Sequence, residues 1–291
     1  MRVLLASDGS RDSRRATRWL RDCPLPSDTK VSVLTVAALS APPRASESMR
    51  ELRERVVQKA RRAGQRAANI LRRRWPRVKT MVVQGDPRVE IVHEAEQTRA
   101  DMLALGARGL GPLKRLLVGS TSLAAARYAP CPVAIIRGRP RKVRHVLVAV
   151  DDSSGCRAAL QFLSTFGLVR GRHLSLVHVL PPGVAHGSGR TLLQRGRQAP
   201  GDRRRRRVDV GAMLAAAAAR FPDARQPIER WVTEGDPARE IVRRAHDRDV
   251  DLVVLGARGL RTLGRLLLGS VSETVLHHAG RPVLIVRDGG R

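Results

Sequence analysis

Glycines are the residues with the most evident chemistry in this chain, and they occur twice in the same arrangement. Residues 106–120 are GARGLGPLKRLLVGS, and residues 256–270 are GARGLRTLGRLLLGS. In each copy, Gly-x-x-Gly is separated by nine residues from Gly-Ser. Glycines at fixed spacing before a helix allow backbone amides to approach a phosphate group. The duplicated pattern therefore predicts two phosphate-binding loops.

Each Gly-Ser pair is followed by a helical pattern, at residues 123–128 and 273–278. Ser120 and Ser270 are therefore the expected N-caps, with helix amides that point at an anion. Two cations lie within each intervening loop: Lys114 and Arg115 in the first copy, Arg261 and Arg265 in the second. The alternative is a plain strand–loop–helix connection without a ligand.

Short apolar runs alternate with helical patterns in both halves of the chain. The runs occupy residues 3–6, 31–36, 80–83, 102–105 and 133–136, and then 145–150, 174–180, 252–255 and 283–286. A Gly-Asp-Pro turn also recurs, at residues 85–87 and 235–237. This alternation predicts α/β domains in which helices cover both faces of a parallel sheet. Ligands of such sheets lie outside the carboxyl ends of the strands.

Several of the notable residues fall at these predicted strand ends. Asp8 and Val36 follow the first two strands, and Gly106 follows the fourth. Asp151, Val179 and Gly256 are their counterparts in the second half. We expect each group to converge on one site. Each aspartate has a second interpretation, in which it only caps the following helix.

The spacing between the two copies predicts the domain organisation. The offset is 143 residues at the first strands and 150 from the Gly-Asp-Pro turn onward, so the second half contains an insertion. We place it within residues 181–207, which end in five arginines at 203–207, and we expect much of it to be mobile. The predicted domains are residues 1–139 and 145–291, joined by a linker at 140–144.

The net charge of +29 is the unusual feature of the composition. It favours attraction to nucleic acid, anionic lipid or polyphosphate. The plainer interpretation is arginine on solvated helix faces, because aromatic side chains for base stacking are scarce. Three cysteines without paired or metal-like spacing indicate a reducing compartment. No apolar run approaches the length of a membrane span, so we expect a cytoplasmic protein.

The pattern G-x2-G-x9-G-[ST] resembles the nucleotide-binding signature of the universal stress protein family. VLLASDGS and VLVAVDDSS resemble the family's first strand and its acidic residue, and GSVSETVLHHAGRPVLIVR resembles its closing helix and strand. The resemblance covers nearly the whole chain as a tandem pair. It implies two doubly wound, Rossmann-like domains of the adenine nucleotide alpha hydrolase type, each with a five-stranded parallel sheet of order 3-2-1-4-5. It also implies that the two domains pair through their last strands, and it is compatible with a further homodimer of the whole chain.

The resemblance also implies ATP at both sites, with Mg²⁺ bound through the phosphates. Asp8 and Val36 would lie on the adenosine side of site one. The residues that would border the ribose and phosphates there are Leu105, Gly106, Gly109, Gly119, Ser120 and Thr121. The matching residues of site two are Asp151, Val179, Leu255, Gly256, Gly259, Gly269, Ser270 and Val271. Thr121 and Leu123 stand where the second copy has Val271 and Glu273. Neither change removes a glycine or the cap serine, so we expect both sites to bind, with site one the weaker if they differ.

The expected function is nucleotide binding in stress response or signalling, coupled to an unidentified protein partner. Neither copy has the Gly-Lys-[ST] of a P-loop or an evident general base, which indicates binding with slow or no turnover. The eight histidines show no spacing typical of a metal site. The alternatives are a polyanion- or nucleic-acid-binding protein that uses its arginine-rich surface, and, less favoured, an enzyme that hydrolyses ATP slowly or transfers a nucleotide.

Overall fold

A computed structural model describes residues 1–38, 47–109, 118–139, 141–180, 200–247, 249–259 and 268–288. Strands and helices alternate along both halves. The first half contains β1 (Arg2–Ala6), α1 (Arg11–Asp22), β2 (Lys30–Ala37), α2 (Glu47–Arg72), β3 (Lys79–Gln84), α3 (Pro87–Gln97), β4 (Met102–Gly106), α4 (Ser120–Tyr128) and β5 (Val133–Ile136). The second contains β6 (His145–Ala149), α5 (Ser154–Thr165), β7 (His173–Leu180), α6 (Pro200–Ala219), β8 (Arg225–Glu234), α7 (Pro237–Asp247), β9 (Leu252–Gly256), α8 (Ser270–His278) and β10 (Val283–Val286).

The ten strands form one sheet of order β3-β2-β1-β4-β5-β10-β9-β6-β7-β8. Each half is a doubly wound α/β domain in which neighbouring strands are parallel. The two halves meet at β5 and β10, which pair antiparallel with Leu284 opposite Ala134. This pairing joins two strands that would otherwise each present an open edge.

Helices cover the sheet on both faces, which explains why the central strands are apolar throughout. One face packs α1, α2, α5 and α6 through residues such as Trp19, Leu71, Leu163 and Leu214. The other packs α3, α4, α7 and α8 through residues such as Ile91, Ala125, Ile241 and Val275. Each core contains residues of both domains, so the hydrophobic core is continuous across the β5–β10 pair.

Two arginines at equivalent positions link the domains crosswise. Arg137, after β5, donates to the carbonyl oxygens of Leu276 (3.4 Å) and His277 at the end of α8. Arg287, after β10, donates to the carbonyl oxygens of Ala126 (3.0 Å) and Arg127 at the end of α4. Each guanidinium thereby neutralises the carboxyl-terminal end of the other domain's last helix. Burial lowers the pKa of both arginines.

The segment predicted to be largely mobile is in part a regular helix. Residues 200–207, which include the five arginines, form the beginning of α6, and residues 181–199 lie outside the described part of the chain. Residues 200–207 are helical because arginine is a good helix former and this run leads directly into an apolar helix, whereas the mobility of the insertion stays a prediction. That helix is held against the sheet by Leu214 and Ala217, both buried.

Candidate nucleotide-binding sites

Each candidate site lies at the switch point of its domain, where the strand order reverses. In the first domain, Ala6 of β1 stands between Leu34 of β2 and Leu105 of β4. The Ser7 N–H donates to the Leu34 carbonyl oxygen at 2.9 Å, which keeps the chain beside β2 as it leaves the sheet. Asp8 therefore emerges next to Val36, at the position where doubly wound sheets bind ligands.

A tight turn after the first strand brings the aspartate against the glycine loop. Oδ1 of Asp8 accepts the Ser10 N–H at 2.9 Å. Its Oδ2 lies 2.7 Å from the point that a Cβ on Gly109 would occupy. Site two repeats this arrangement. Oδ1 of Asp151 accepts the Ser153 N–H at 3.1 Å, and its Oδ2 lies 3.0 Å from the Cβ point of Gly259. The second glycine of each motif thus leaves space for the carboxylate.

The two aspartates do not cap the helices that follow them. The N-cap residues of α1 and α5 are Ser10 and Ser153. Their hydroxyls accept the N–H of Ser13 and of Cys156, each at 3.1 Å. The interpretation in which the aspartates act only as caps is therefore wrong, since serine performs that task in both domains. Each carboxylate stands outside the helix, beside the glycine loop.

The first glycine of each motif allows a helix to cross the strand end closely. A Cβ on Gly106 would lie 2.5 Å from the carbonyl carbon of Asp12, in the first turn of α1. A Cβ on Gly256 would lie 2.6 Å from the carbonyl carbon of Gly155, in the first turn of α5. Backbone atoms cannot yield at such distances. These glycines are thus explained by packing alone.

Gly119 and Gly269, and not Ser120 and Ser270, are the N-caps of α4 and α8. Gly119 is extended (φ −66°, ψ 154°), and its carbonyl oxygen accepts the Leu123 N–H at 2.9 Å. Gly269 has the same conformation (φ −67°, ψ 148°). The prediction of serine caps was wrong by one residue, because the chain becomes helical already at the serine. A glycine cap has no side chain, and among the described residues no side chain caps either helix.

The start of each of these helices is fixed to the end of the fourth strand of its domain. The Gly119 N–H donates to the Ala107 carbonyl oxygen, and the Ser122 hydroxyl donates to that of Gly106, both at 2.8 Å. Gly269 and Ser272 make the same two bonds to Ala257 and Gly256. Sequence reasoning missed the two serines, although their recurrence at the 150-residue offset was a usable signal. First-turn amides of a glycine-capped helix, held in place this way, suit an anion.

The other predicted residues differ in accessibility. Leu105 and Leu255 are each 3% exposed and belong to the core, so only their backbone can face a ligand. Val36, Thr121 and Val271 are half-buried, Val179 is buried, and Ser120 and Ser270 are exposed. Residues 110–117 and 260–267, which carry the four loop cations, lie outside the described residues.

Nucleophilic and metal chemistry has little support around these sites. Cys156, in the first turn of α5, is buried, and burial raises its pKa to about 11. Burial likewise raises the pKa of Cys23 to about 12. Both are therefore thiols and not thiolates at neutral pH. Within the described ranges, no three His, Cys, Asp or Glu side chains are grouped so that they could hold a metal ion.

Both halves of the chain match a known protein family. The sequence model described as the universal stress protein family matches residues 1–137 and again residues 142–287. The chain belongs to the universal stress protein family. A universal stress protein of Mycolicibacterium smegmatis is 28% identical over 299 residues, which cover 98% of this chain and 96% of that protein. One from Mycobacterium tuberculosis H37Rv is 34% identical over 204 residues, covering 68% of this chain and 64% of the relative.

The tandem architecture also has a counterpart among solved structures. A universal stress protein from Archaeoglobus fulgidus superposes with a TM-score of 0.68, covering 99% of this chain and 98% of that one, at 21% identity. This likeness shows the fold, with two universal stress protein domains in one chain. Among the helices of the described part, none is long and apolar enough to cross a membrane.

Proposed function

We propose that each half of this universal stress protein binds one adenine nucleotide, with ATP as the ligand, and that nucleotide occupancy controls a protein partner in stress response or signalling. The observation that carries the proposal is the glycine-capped start of α4 and α8. There, first-turn amides without a side-chain cap stand beside the aspartate and the glycine loop. The arrangement occurs in both domains, as a duplicated binding site requires.

The phosphates are assigned to these helix starts. Gly119 and Gly269 have no Cβ, and one added at Gly119 would lie only 3.4 Å from the Ala107 carbonyl oxygen. Backbone can thus approach a phosphate closely here, and the positive end of the helix dipole favours its charge. The hydroxyls of Ser120, Thr121 and Ser270 would add hydrogen bonds to the phosphates. Mg²⁺ would bind through the phosphate oxygens, because the described residues around the loop offer no cluster of ligands.

The adenosine is assigned to the ends of the first two strands of each domain. Val36 and Asp8 stand side by side there, as do Val179 and Asp151. A half-buried valine provides an apolar surface for a base, and the carboxylate can accept a hydrogen bond from a ribose or base N–H or O–H. The backbone at Leu105 and Leu255 borders the space between these groups and the helix starts.

Binding without rapid turnover agrees with the chemistry at the strand ends. The Cys156 thiol in the first turn of α5 is protonated, and neither domain supplies a P-loop lysine. Asp8 and Asp151 accept backbone N–H bonds within their own turns, which commits one oxygen of each to structure. We therefore propose a sensor or store of nucleotide, located in the cytoplasm, where thiols stay reduced.

The test is a titration of a fluorescent ATP analogue against the wild type and the double variant Gly119→Val/Gly269→Val. Both positions have ordinary extended backbone, so valine is tolerated by the fold but covers the helix amides. Gly211→Val is the matched control, because a Cβ there meets open space. We expect binding in the wild type and the control, and its loss in the double variant. Equal affinity in all three proteins would refute the proposal.

AMP and cAMP are suitable unlabelled competitors in the same assay. The structure of a universal stress protein in complex with cAMP superposes on a part of this chain that comprises 47% of its length (TM-score 0.37). An Arabidopsis thaliana family member solved with AMP bound resembles 46% of it (TM-score 0.36). Competition by each nucleotide separates recognition of the base and ribose from recognition of the outer phosphates.

A further inference from the structure

Helix α2 carries three cations in a row beside site one. Lys59, Arg62 and Arg66 are spaced by three and four residues, so they lie on one face of the helix. All three are exposed, and among the described residues none forms a hydrogen bond or an ion pair. We call these three residues the α2 basic row. One turn before it, Arg55 is already paired with Glu51 at 3.9 Å.

The α2 basic row lines a groove on the exposed face of α2, and the end of the groove at Arg66 lies close to Gly9 of site one. The groove has a volume of about 580 Å³, and Gln58 and Glu54 also line it. Its inner end is Arg66, whose guanidinium nitrogen lies 3.6 Å from the Cβ point of Gly9. Gly9 directly follows Asp8, so the row begins at the adenosine side of the site. The undescribed segments 39–46 and 110–117 contain no Asp or Glu that could neutralise it.

Site one is therefore flanked by two separate attractors for anions. The start of α4 lies on one face of the sheet, with α3, and α2 lies on the other, with α1. The ends of β1 and β2, with Asp8 and Val36, lie between them. A nucleotide whose 5′ phosphates bind α4 and whose adenosine covers these strand ends places its far side towards Arg66.

Site two lacks the innermost cation of the second attractor. Trp75-Pro76 after α2 matches Phe221-Pro222 after α6, which aligns Arg66 with Ala212. The buried Ala68 and Leu214 fall at matching positions in the same alignment. Asp152 stands where site one has Gly9, and it pairs with Arg157 at 3.3 Å. In the same alignment Lys59 falls on Arg205, within the arginine run at 203–207, and Arg62 falls on Val208. The position next to the strand ends thus carries the cation Arg66 in site one and the Asp152–Arg157 ion pair in site two.

We propose that site one is selective for an adenine nucleotide that carries a second phosphate, attached to the ribose, which the α2 basic row binds. This inference rests on the proposed function and specifies its ligand class at one of the two sites. The second phosphate has two possible sources: a free nucleoside bisphosphate, or the phosphodiester chain of an oligoadenylate. Both present a phosphate on the side of the adenosine opposite to the 5′ phosphate. Arginine and lysine bind such groups through charge-assisted hydrogen bonds.

The experiment uses the full chain with Gly269→Val, so that only site one reports. Adenosine 3′,5′-bisphosphate, AMP and a 5′-phosphorylated adenylate hexamer are titrated by calorimetry. The row variant is Lys59→Gln/Arg62→Gln/Arg66→Gln. The control is Arg61→Gln/Arg77→Gln/Lys79→Gln, which removes the same charge from exposed positions away from the groove. AMP affinity in each variant serves as the check that the site has folded.

We expect the bisphosphate to bind about tenfold more tightly than AMP, because one additional charge-assisted hydrogen bond raises the affinity by about this factor. The row variant loses this gain and keeps its AMP affinity, whereas the control keeps both. A row-dependent gain for the hexamer alone supports the proposal with the phosphodiester chain as the source. The proposal is overturned if neither ligand gains over AMP, or if the control loses the gain equally. Absence of AMP binding to the wild type overturns the proposed function itself, a distinguishable result.

Discussion

The two domains share the frame of the site but not its charged surroundings. Each domain has an aspartate beside a Gly-x-x-Gly loop and a helix with a glycine N-cap. In each, a serine hydroxyl of that helix donates a hydrogen bond to the end of the fourth strand. Around this frame, Gly9, Asp12 and Arg66 of the first domain correspond to Asp152, Gly155 and Ala212 of the second. The positions that repeat are those at which backbone approaches backbone. Those that differ change the charge beside each site.

The interface between the domains is also unequal on its two sides. Arg127 of α4 and Glu273 of α8 form an ion pair at 2.8 Å. The equivalent positions on the other side are His277 and Leu123, which cannot pair in this way. His277 instead accepts the Val118 N–H through Nδ1 at 3.3 Å. Val118 immediately precedes the Gly119 cap, so the second domain supports the loop of site one.

The largest effect is expected from the first glycine of each motif. Gly106→Val and Gly256→Val each force a side chain into the backbone of the preceding helix, and we expect a loss of about 3 kcal/mol in the free energy of unfolding. Urea denaturation measures it, with Gly119→Ala as a control of small effect. Equal losses in both domains show that backbone contact alone sets the requirement. Near-wild-type stability of either valine variant contradicts this account of the motif.

The second-largest loss of stability is expected from the two arginines that link the domains crosswise. Arg137→Ala and Arg287→Ala each remove charge-assisted bonds to helix carbonyl groups in the other domain. We expect each substitution to cost about 1.5–3 kcal/mol, with similar values because the contacts are symmetric. Urea denaturation followed by far-UV circular dichroism provides the measurement. Arg139→Ala, at an exposed position nearby, is the control. A large difference between the two would show that the domains depend on the interface unequally.

The Arg127–Glu273 ion pair should contribute less. Both side chains are about one-third exposed, so solvent screens the interaction. A double-mutant cycle with Arg127→Gln and Glu273→Gln is expected to give a coupling free energy of about 0.5–1 kcal/mol. The coupling should decrease in high salt. A coupling energy of zero at low salt would remove this pair as a source of the asymmetry.

The smallest effect concerns pH. Burial lowers the pKa of His277, with Arg137, Arg127 and His278 acting in the same direction and Glu273 opposing them. The folded protein thus binds the proton less readily than the unfolded chain does. The contribution of His277 is therefore fully present above its unfolded pKa of about 6.5 and decreases as pH falls below that value. His277→Asn retains an acceptor but does not titrate.

We expect the stability difference between wild type and His277→Asn to become less favourable to the wild type between pH 8 and pH 5.5. Urea midpoints at the two pH values measure it. His278→Asn is the control, because it removes the neighbouring histidine of the same helix. A difference that stays constant with pH would show that His277 does not titrate on unfolding in this range.

The fold was largely predictable from the sequence because strands buried on both faces are recognisable as short apolar runs. The runs at 133–136 and 283–286 coincide with β5 and β10. The helices were located less well. α6 begins at Pro200 and includes the arginine run that the prediction assigned to the insertion, since helices with polar exposed faces lack a strong apolar signal.

The sequence predicted that the aspartate and the glycine loop of each domain meet at one edge of the sheet, but it did not predict the role of each glycine. Sequence spacing cannot distinguish a glycine needed for a helix crossing, such as Gly106, from one that caps a helix, such as Gly119, because both only lack a Cβ. The assignment of Ser120 as the cap failed for this reason. The contacts of Arg66 and Arg137 could not be predicted either, because their partners are distant in the sequence. Which residues they meet depends on the strand order of the sheet and on the β5–β10 register.

The central claim is that each half of the chain binds one nucleotide, and native mass spectrometry with AMP tests it most directly. The account predicts two AMP molecules bound to the wild type, one to Gly119→Val, one to Gly269→Val, and none to the double variant. The Gly211→Val control should bind two. A single molecule on the wild type, or a number that the two substitutions do not change, would contradict the account.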